Sequence, residues 1–371
     1  MRFGRAVSLP GKAARRLLRV AGRPVRRAQG RGGVVVQPYR GYGSATEVFL
    51  IGRVFHQSPT PRGGLMTLGR LLHDVGRRVA RRAVADAPVV ARFAGCTRRV
   101  RTDPDGYFRL HLTLPAPLPE PGGWHSVALT LEAPERVEAT AAVYIPPADC
   151  RQVVISDIDD TVMVTGVANV AAMLWRLFVQ GAGRRTAFPG VSAFYRALHD
   201  GTGGREGNPM LYVSRAPWGI YDVLDEFFRR NAIPVGPILF LREWGLRWTS
   251  PLPRKAEDHK ESLIDHMLEI YRDLPVVLIG DSGQHDPEVY RRIVARHGDR
   301  VRAVYIRNVS GTSARAEEVR AMAAEAARHG AVLVLADDTV AMAEHAAGLG
   351  LMDPARIAAV RGEKAAEEVS L

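Results

Sequence analysis

Apolar and polar positions along this chain change their period twice. From Thr46 onward, short apolar runs of strand length occur at 48–55, 89–95, 107–114, 127–131 and 139–145. Asp105-Gly106 and Pro121-Gly122-Gly123 supply turns between them. The run at 107–114 alternates loosely, as a strand with one buried face should. Between the first two runs, Leu65, Leu68, Leu72, Val75 and Val79 recur at helical spacing beside Arg70, Arg77, Arg78, Arg81 and Arg82. This predicts one amphipathic helix whose arginines form a solvated face or, as the lesser reading, meet a membrane. Residues 46–147 read as a small β-sandwich-like domain with one helix, ending at Pro146-Pro147.

After Cys150 the alternation disappears. Apolar runs at 153–155, 210–213, 276–279, 301–306 and 331–335 are separated by helical stretches at 191–198, 220–230, 260–271, 287–296 and 314–329. Strands apolar on both faces, alternating with helices, form a parallel sheet covered on both sides. The fold class is therefore α/β: a doubly wound parallel-sheet domain over 150–350, preceded by the β-rich domain and followed by a helical tail at 351–371. No internal repeat is present.

Composition sharpens this picture. A chain of 371 residues, 46% apolar and 24% charged, fills about two domains and is neither disordered nor collagenous. Two cysteines, Cys96 and Cys150, exclude a disulfide framework and a cysteine-based zinc site, and both read as buried small hydrophobes. No window approaches the roughly 18 consecutive apolar residues of a membrane span. The net charge of +12 is a tail property, because residues 1–31 carry ten Lys or Arg and no acid, leaving +2 for the rest. Residues 1–45 read as a basic flexible arm: a solubilising extension, a tether to an anionic membrane, or, least favoured, a nucleic-acid contact. Arg15-Arg16 has no apolar stretch behind it to make an export signal, while an organelle transit peptide stays open. The Ala- and Arg-rich composition suits a high-GC bacterial gene, hence a cytoplasmic protein with peripheral membrane contact.

Chemistry concentrates where the strands of the second domain end, the place where ligands sit in such sheets. The first strand runs into Ser156-Asp157-Ile158-Asp159-Asp160-Thr161, the second ends in Ser214, and the third in Gly280-Asp281-Ser282-Gly283-Gln284-His285-Asp286. Lys260 opens the helix before that third strand. Carboxylates crowded at one strand end repel one another unless a cation intervenes, and a hard divalent ion held by oxygens, Mg²⁺ by preference, is the natural one.

These four motifs, in this order, resemble the haloacid dehalogenase superfamily of phosphatases. The narrower pattern, Asp157–Thr161 as DIDDT, Ser214-Arg-Ala-Pro-Trp218, His259-Lys260 and Gly280-Asp-Ser-Gly-Gln-His-Asp-Pro-Glu288, is similar to the actin-patch-protein type of phosphatidate phosphatase, related to the lipins. The likeness covers about 150–350, and Gly52-Arg53-Val54 with Thr102–Phe108 match the family's upstream β-rich region. The resemblance implies a haloacid dehalogenase-like catalytic domain, with Asp157 as nucleophile forming an aspartyl-phosphate and Asp159 as general acid and then base. It assigns the metal to Asp157, Asp159 and Asp281, with Asp286 orienting Lys260 or a metal-bound water. Ser214 and Lys260 would hold the phosphoryl group. Just past Ser214, Arg215 is a candidate for the phosphate or the substrate mouth, and Trp218 either lines that mouth or simply packs. Asp160, His259 and His285 are expected to cap, pack or fill variable positions. Residue 216, where the family pattern favours a small hydroxyl side chain, is Ala216, which weakens the expectation of a head-group contact there.

About 47 residues separate Thr161 from Pro209, too few for a large cap domain. Within them, 170–179 is a largely apolar helix followed by Arg184-Arg185. It either packs on the sheet or turns Trp175 and Phe178 toward an acyl chain. The leading expectation is a Mg²⁺-dependent phosphatidate phosphatase working at a membrane surface. The alternatives are the same chemistry on a soluble or macromolecular phosphomonoester, or an adaptor with a degenerate catalytic domain, against which the intact motifs argue.

Overall fold

The computed structural model describes residues 33–57, 82–158, 188–215, 218, 221–240, 256–310 and 312–368. The expected arm over 1–31, the helix at 65–79, the helix at 170–179 and Asp159–Thr161 lie outside the described residues.

The first part of the chain forms a nine-stranded sheet: β1 (Val34–Pro38), β2 (Gly41–Gly43), β3 (Glu47–His56), β4 (Arg82–Ala83), β5 (Pro88–Phe93), β6 (Cys96–Arg101), β7 (Tyr107–Thr113), β8 (Gly123–Leu131) and β9 (Val137–Ile145). Its pairings are antiparallel except for β2 with β9. The sheet starts earlier than the pattern predicts, since β1 and β2 lie within the stretch assigned to the basic arm. The predicted run at 89–95 is in fact the first half of a hairpin, β5 and β6, turning through Ala94 and Gly95 in the left-handed region.

The long strand β3 explains why its run showed no alternation. Along one face, Val48, Leu50 and Val54 join Val36, Leu110, Leu112, Val127 and Leu129 in the sheet's own core. Along the other, Phe49 and Ile51 join Tyr39, Tyr42 and Tyr107 in a core continuous with the α/β unit. The two sets follow the two-residue period of a strand, but both faces are apolar because both are covered. Gly52 interrupts the first set for a steric reason: a β-carbon there would lie 2.3 Å from the Phe108 ring that crosses it.

The second sheet contains β10 (Val153–Asp157), β11 (Met210–Ser214), β12 (Ile238–Phe240), β13 (Val276–Asp281), β14 (Val301–Arg307) and β15 (Val332–Ala336). All are parallel, in the order β12-β11-β10-β13-β14-β15. The three-residue β12 falls below the length a sequence pattern reveals. Strand order reverses at β10, so the crevice between the carboxyl ends of β10 and β13 is the sheet's topological switch point.

Seven helices are described: α1 (Val191–Asp200), α2 (Tyr221–Arg230), α3 (Ala256–Ile270), α4 (Asp286–His297), α5 (Ser313–Arg328), α6 (Thr339–Gly348) and α7 (Ile357–Glu368). Two boundaries correct the sequence reading. Lys260 sits in the second turn of α3 rather than at its start, and Asp286 is the first residue of α4 rather than part of the loop before it. The C-terminal stretch is helical, as expected. Its α7 supplies Glu367 and Glu363 to the Gly190 and Ala193 amides at 2.9 and 3.1 Å, satisfying the exposed end of α1.

Candidate active site

Four side chains from four elements meet at the switch point. Asp157, the last residue of β10, is fully buried, and so are Asp281 at the end of β13 and Asp286 at the start of α4. Lys260 enters from α3 with only 1% of its surface exposed. Its ammonium donates to Asp157 Oδ1 at 2.6 Å and to Asp286 Oδ1 at 2.5 Å. The Tyr290 ring stands 5.6 Å from the same ammonium, and its hydroxyl donates to the Ile279 carbonyl at 2.8 Å. Burial alone would lower the lysine pKa, but the charges of Asp157 and Asp286 more than reverse this and raise it above the ordinary value.

Asp281 is gripped by its own loop. Its Oδ1 accepts the amides of Gly283 and Gln284 at 2.7 and 2.9 Å, and its Oδ2 accepts Gln284 Nε2 at 3.1 Å. Asp286 Oδ2 in turn accepts the Asp281 amide at 3.2 Å. Burial first, and then the charge of Asp286, push the Asp281 carboxyl up to about 7, against the opposing pull of Lys260 and the two amides. The Gly280-Asp281 pair is thus a packing requirement. A β-carbon at 280 would lie 2.4 Å from Asp286 Oδ2 and 2.8 Å from Tyr290.

One oxygen each of Asp157, Asp281 and Asp286 can be chosen so that all three lie within 4.8 Å of one another, and no other such group of three exists among the described residues. Against three carboxylates stands one ammonium, so the cluster carries surplus negative charge in a buried place. All the metal-capable donors are oxygens with lone pairs to spare, which suits a hard divalent cation. The residues present therefore fit the divalent ion that the sequence called for.

Ser214 is buried at the end of β11, directly beside β10, where Val213 pairs with Asp157 and its carbonyl accepts the Ile158 amide at 3.0 Å. Arg215 follows it, half-buried. Trp218 does not line an open mouth. It is 3% exposed and packs against Tyr39, Tyr107, Tyr221 and Phe240. His285 precedes α4 with its side chain largely exposed, 3.6 Å from Glu257, and His259 is buried. Cys96 and Cys150 are half-buried rather than buried, each thiol donating to a nearby carbonyl at 3.4 Å.

Three contributors went unnoticed in the sequence. Gln284 clamps Asp281, and its place within the Gly-Asp loop was the available signal. Arg315, from α5, donates to the carbonyls of Ser282 and Gln284, both at 3.0 Å, and pairs with Glu288, tying the loop to α4. The Ser282 hydroxyl accepts the amides of Val309 and Ser310 at 3.0 and 3.2 Å. Ser282 shares that loop's signal, and nothing in the local pattern marks Arg315.

Comparison with known proteins adds an independent finding. Residues 152–308 match the family model described as the catalytic domain of phosphatidate phosphatase APP1. Over 159 residues the chain is 30% identical to Phosphatidate phosphatase APP1 of Saccharomyces cerevisiae, covering 43% of this chain and 26% of the yeast protein. It is 25% identical over 224 residues to an uncharacterized protein of Schizosaccharomyces pombe, covering 60% of this chain and 35% of that one. The chain thus spans about a quarter to a third of the length of these relatives. A carbohydrate acetylesterase structure from Xanthomonas citri aligns over 78% of this chain and 72% of its own at 12% identity, with a TM-score of 0.26, too low to carry an argument. The resemblance carried by the motifs is borne out over residues 152–308.

Proposed function

We propose, from the membership of residues 152–308 in the catalytic-domain family of phosphatidate phosphatase APP1, that this protein is a Mg²⁺-dependent phosphatase that releases inorganic phosphate from phosphatidate and leaves diacylglycerol. The observation that carries this reading is the buried Asp157–Asp281–Asp286 cluster around Lys260 at the switch point. The strand order, reversing at β10, supports a doubly wound, haloacid dehalogenase-like catalytic domain over 150–350 behind a β-rich region over 46–147.

In this reading, Asp157 attacks phosphorus, the bond to the glycerol oxygen breaks, and an aspartyl-phosphate forms. Lys260 holds Oδ1 of Asp157, which fixes the rotation of the carboxylate before attack and offsets charge on the phosphoryl oxygens. Asp159, two residues beyond Asp157, gives its proton to the departing alkoxide. It then takes one from the water that cleaves the acyl phosphate. Asp157, Asp159 and Asp281, with Asp286 beside them, would hold the Mg²⁺, which supplies neutralising positive charge to the phosphoryl oxygens when bound. Ser214 and Arg215 contact the phosphate from the neighbouring strand end. Gln284 and Arg315 keep the Asp281 loop in place. Residues 1–31 meet the anionic surface in which the substrate lies, on the cytoplasmic side.

The test is phosphate release from phosphatidate in mixed micelles, with and without Mg²⁺, for the wild type and Asp157→Asn, alongside a soluble aryl phosphate. Mg²⁺-dependent release that favours phosphatidate and vanishes in the variant is the expected result. Release from the aryl phosphate alone would keep the chemistry and overturn the lipid substrate.

A further inference from the structure

The first sheet reaches Trp218 through two rings, Tyr39 and, at 6.1 Å, Tyr107 of β7, and Tyr39 is the nearer. Tyr39, in the connection between β1 and β2, is 3% exposed, and its ring centroid lies 4.1 Å from that of Trp218 and 4.8 Å from that of Tyr221. Trp218 stands four residues beyond Ser214 in the chain, and Tyr221 opens α2. The rest of this contact holds α2 itself. The Arg40 amide donates to the Tyr221 hydroxyl at 3.1 Å, the Arg40 guanidinium pairs with Asp225, and Gln37 Nε2 donates to Asp222 at 3.3 Å. From the other side, Phe240 of β12 packs on Trp218 at 4.8 Å. The indole is therefore wedged between the two sheets, four residues beyond the buried Ser214.

We propose that Tyr39 is a positioning residue for the phosphate-binding stretch that begins at Ser214, acting through Trp218. The inference rests on the reading above that Ser214 contacts the phosphoryl group. Ser214 ends a buried strand, and four residues beyond it stands an indole whose packing faces come from both sheets. Removing the Tyr39 ring leaves Trp218 room to shift, and the Ser214 hydroxyl then loses its alignment on phosphate. A displacement of about an ångström in such a group is costly because its hydrogen bonds are directional.

The experiment is carried out on the full chain with Mg²⁺. Binding of inorganic phosphate is titrated calorimetrically, and hydrolysis of the aryl phosphate is measured in parallel. An aromatic contact of this kind corresponds to about a two- to tenfold effect. Tyr39→Ala is expected to weaken phosphate binding and raise KM by about fivefold with a smaller change in kcat, whereas Tyr39→Phe, which keeps the ring, stays within twofold of wild type. In a Ser214→Ala background, Tyr39→Ala is expected to cost nothing further in phosphate affinity. Arg40→Ala, which loosens the grip on α2 without removing a ring from Trp218, is expected to lower the melting temperature and leave phosphate affinity unchanged. Unchanged phosphate affinity in Tyr39→Ala, a full loss persisting without Ser214, or an equal loss in Arg40→Ala would overturn the proposal. Phosphate binding without any hydrolysis by wild type would instead sink the phosphatase reading and leave this one standing.

Discussion

Gly280 and Asp286 share a space that only one side chain can fill. The carboxylate of Asp286 lies over the Gly280 backbone at a distance where a β-carbon would come within 2.4 Å of Oδ2. This close approach brings Asp286 under the end of β13 and lets one oxygen meet Lys260 while the other meets the Asp281 amide. Gly280→Ala is therefore expected to displace the carboxylate, lowering stability by about 1–3 kcal/mol and activity at least tenfold. Thermal melts with and without Mg²⁺, alongside the phosphate-release assay, check it. Activity equal to wild type would show that the site tolerates the shift.

Lys260 is buried between two carboxylates, and removing it leaves both charges without their ammonium. Lys260→Met is expected to abolish turnover and to destabilise the protein by about 3–5 kcal/mol. Added Mg²⁺ should recover part of the stability, because a cation can replace the missing charge, but none of the activity. Differential scanning calorimetry at several Mg²⁺ concentrations separates the two effects.

The raised carboxyl of Asp281 gives the metal-free protein a pH dependence of definite sign. Its pKa lies above the ordinary 3.8, at about 7, so the folded state binds the proton more tightly than the unfolded one. The stabilisation from that proton is complete below about pH 4 and is lost as pH rises toward 7. Metal-free protein should therefore lose melting temperature between pH 5 and about 7.5 from this group, and Asp281→Asn should flatten that slope. Mg²⁺ competes with the same proton, so its affinity should climb over the same interval and then level off. Melts across this range in EDTA and in Mg²⁺ read out both trends.

Phe49 belongs to the core that joins the two sheets. Phe49→Ala should destabilise by about 3–5 kcal/mol. Because that core is shared, the wild type should unfold in a single transition, followed equally by near-UV signal and by loss of activity. Two resolved transitions would mean that the sheets are energetically separate.

Much of this molecule is legible in its sequence, for identifiable reasons. The parallel strands show themselves because burial on both faces leaves unbroken apolar runs such as Val276–Asp281 with polar residues only at the end. Asp157, Asp281 and Asp286 are found for the same reason, because they sit where those runs stop, whereas Lys260 comes from the helix before β13. What escapes is whatever depends on a partner distant in the chain. The run at β3 predicts a strand but cannot tell which of its apolar faces meets which core. Val34–Pro38 and Gly41–Gly43 are short, glycine-flanked and adjacent to an arginine-dense stretch, so they carry no period to detect. The Arg315 grip on the 282–284 backbone joins a helix to a loop about thirty residues away, and an arginine on a helix looks the same whether it meets water or carbonyl oxygens. The motif leaves Trp218 equally open to lining the substrate mouth or packing, and the structure buries it. Its burial depends on Tyr39, far upstream, which the local sequence does not mention.

The carboxylates of α7 that close the start of α1 bear on where this protein could be cut. The segment 152–308, recognisable by family, contains every residue of the acidic cluster yet ends before β15 and before Glu363 and Glu367. A fragment trimmed to those limits would expose the unpaired edge of β14 and strand the amides of Gly190 and Ala193. It would also bare the aromatic seam against which Tyr39, Phe49 and Tyr107 rest. The smallest autonomous unit of this protein is thus much larger than its catalytic signature, and exchange of the signature alone between relatives would transplant the chemistry without the walls that shape it.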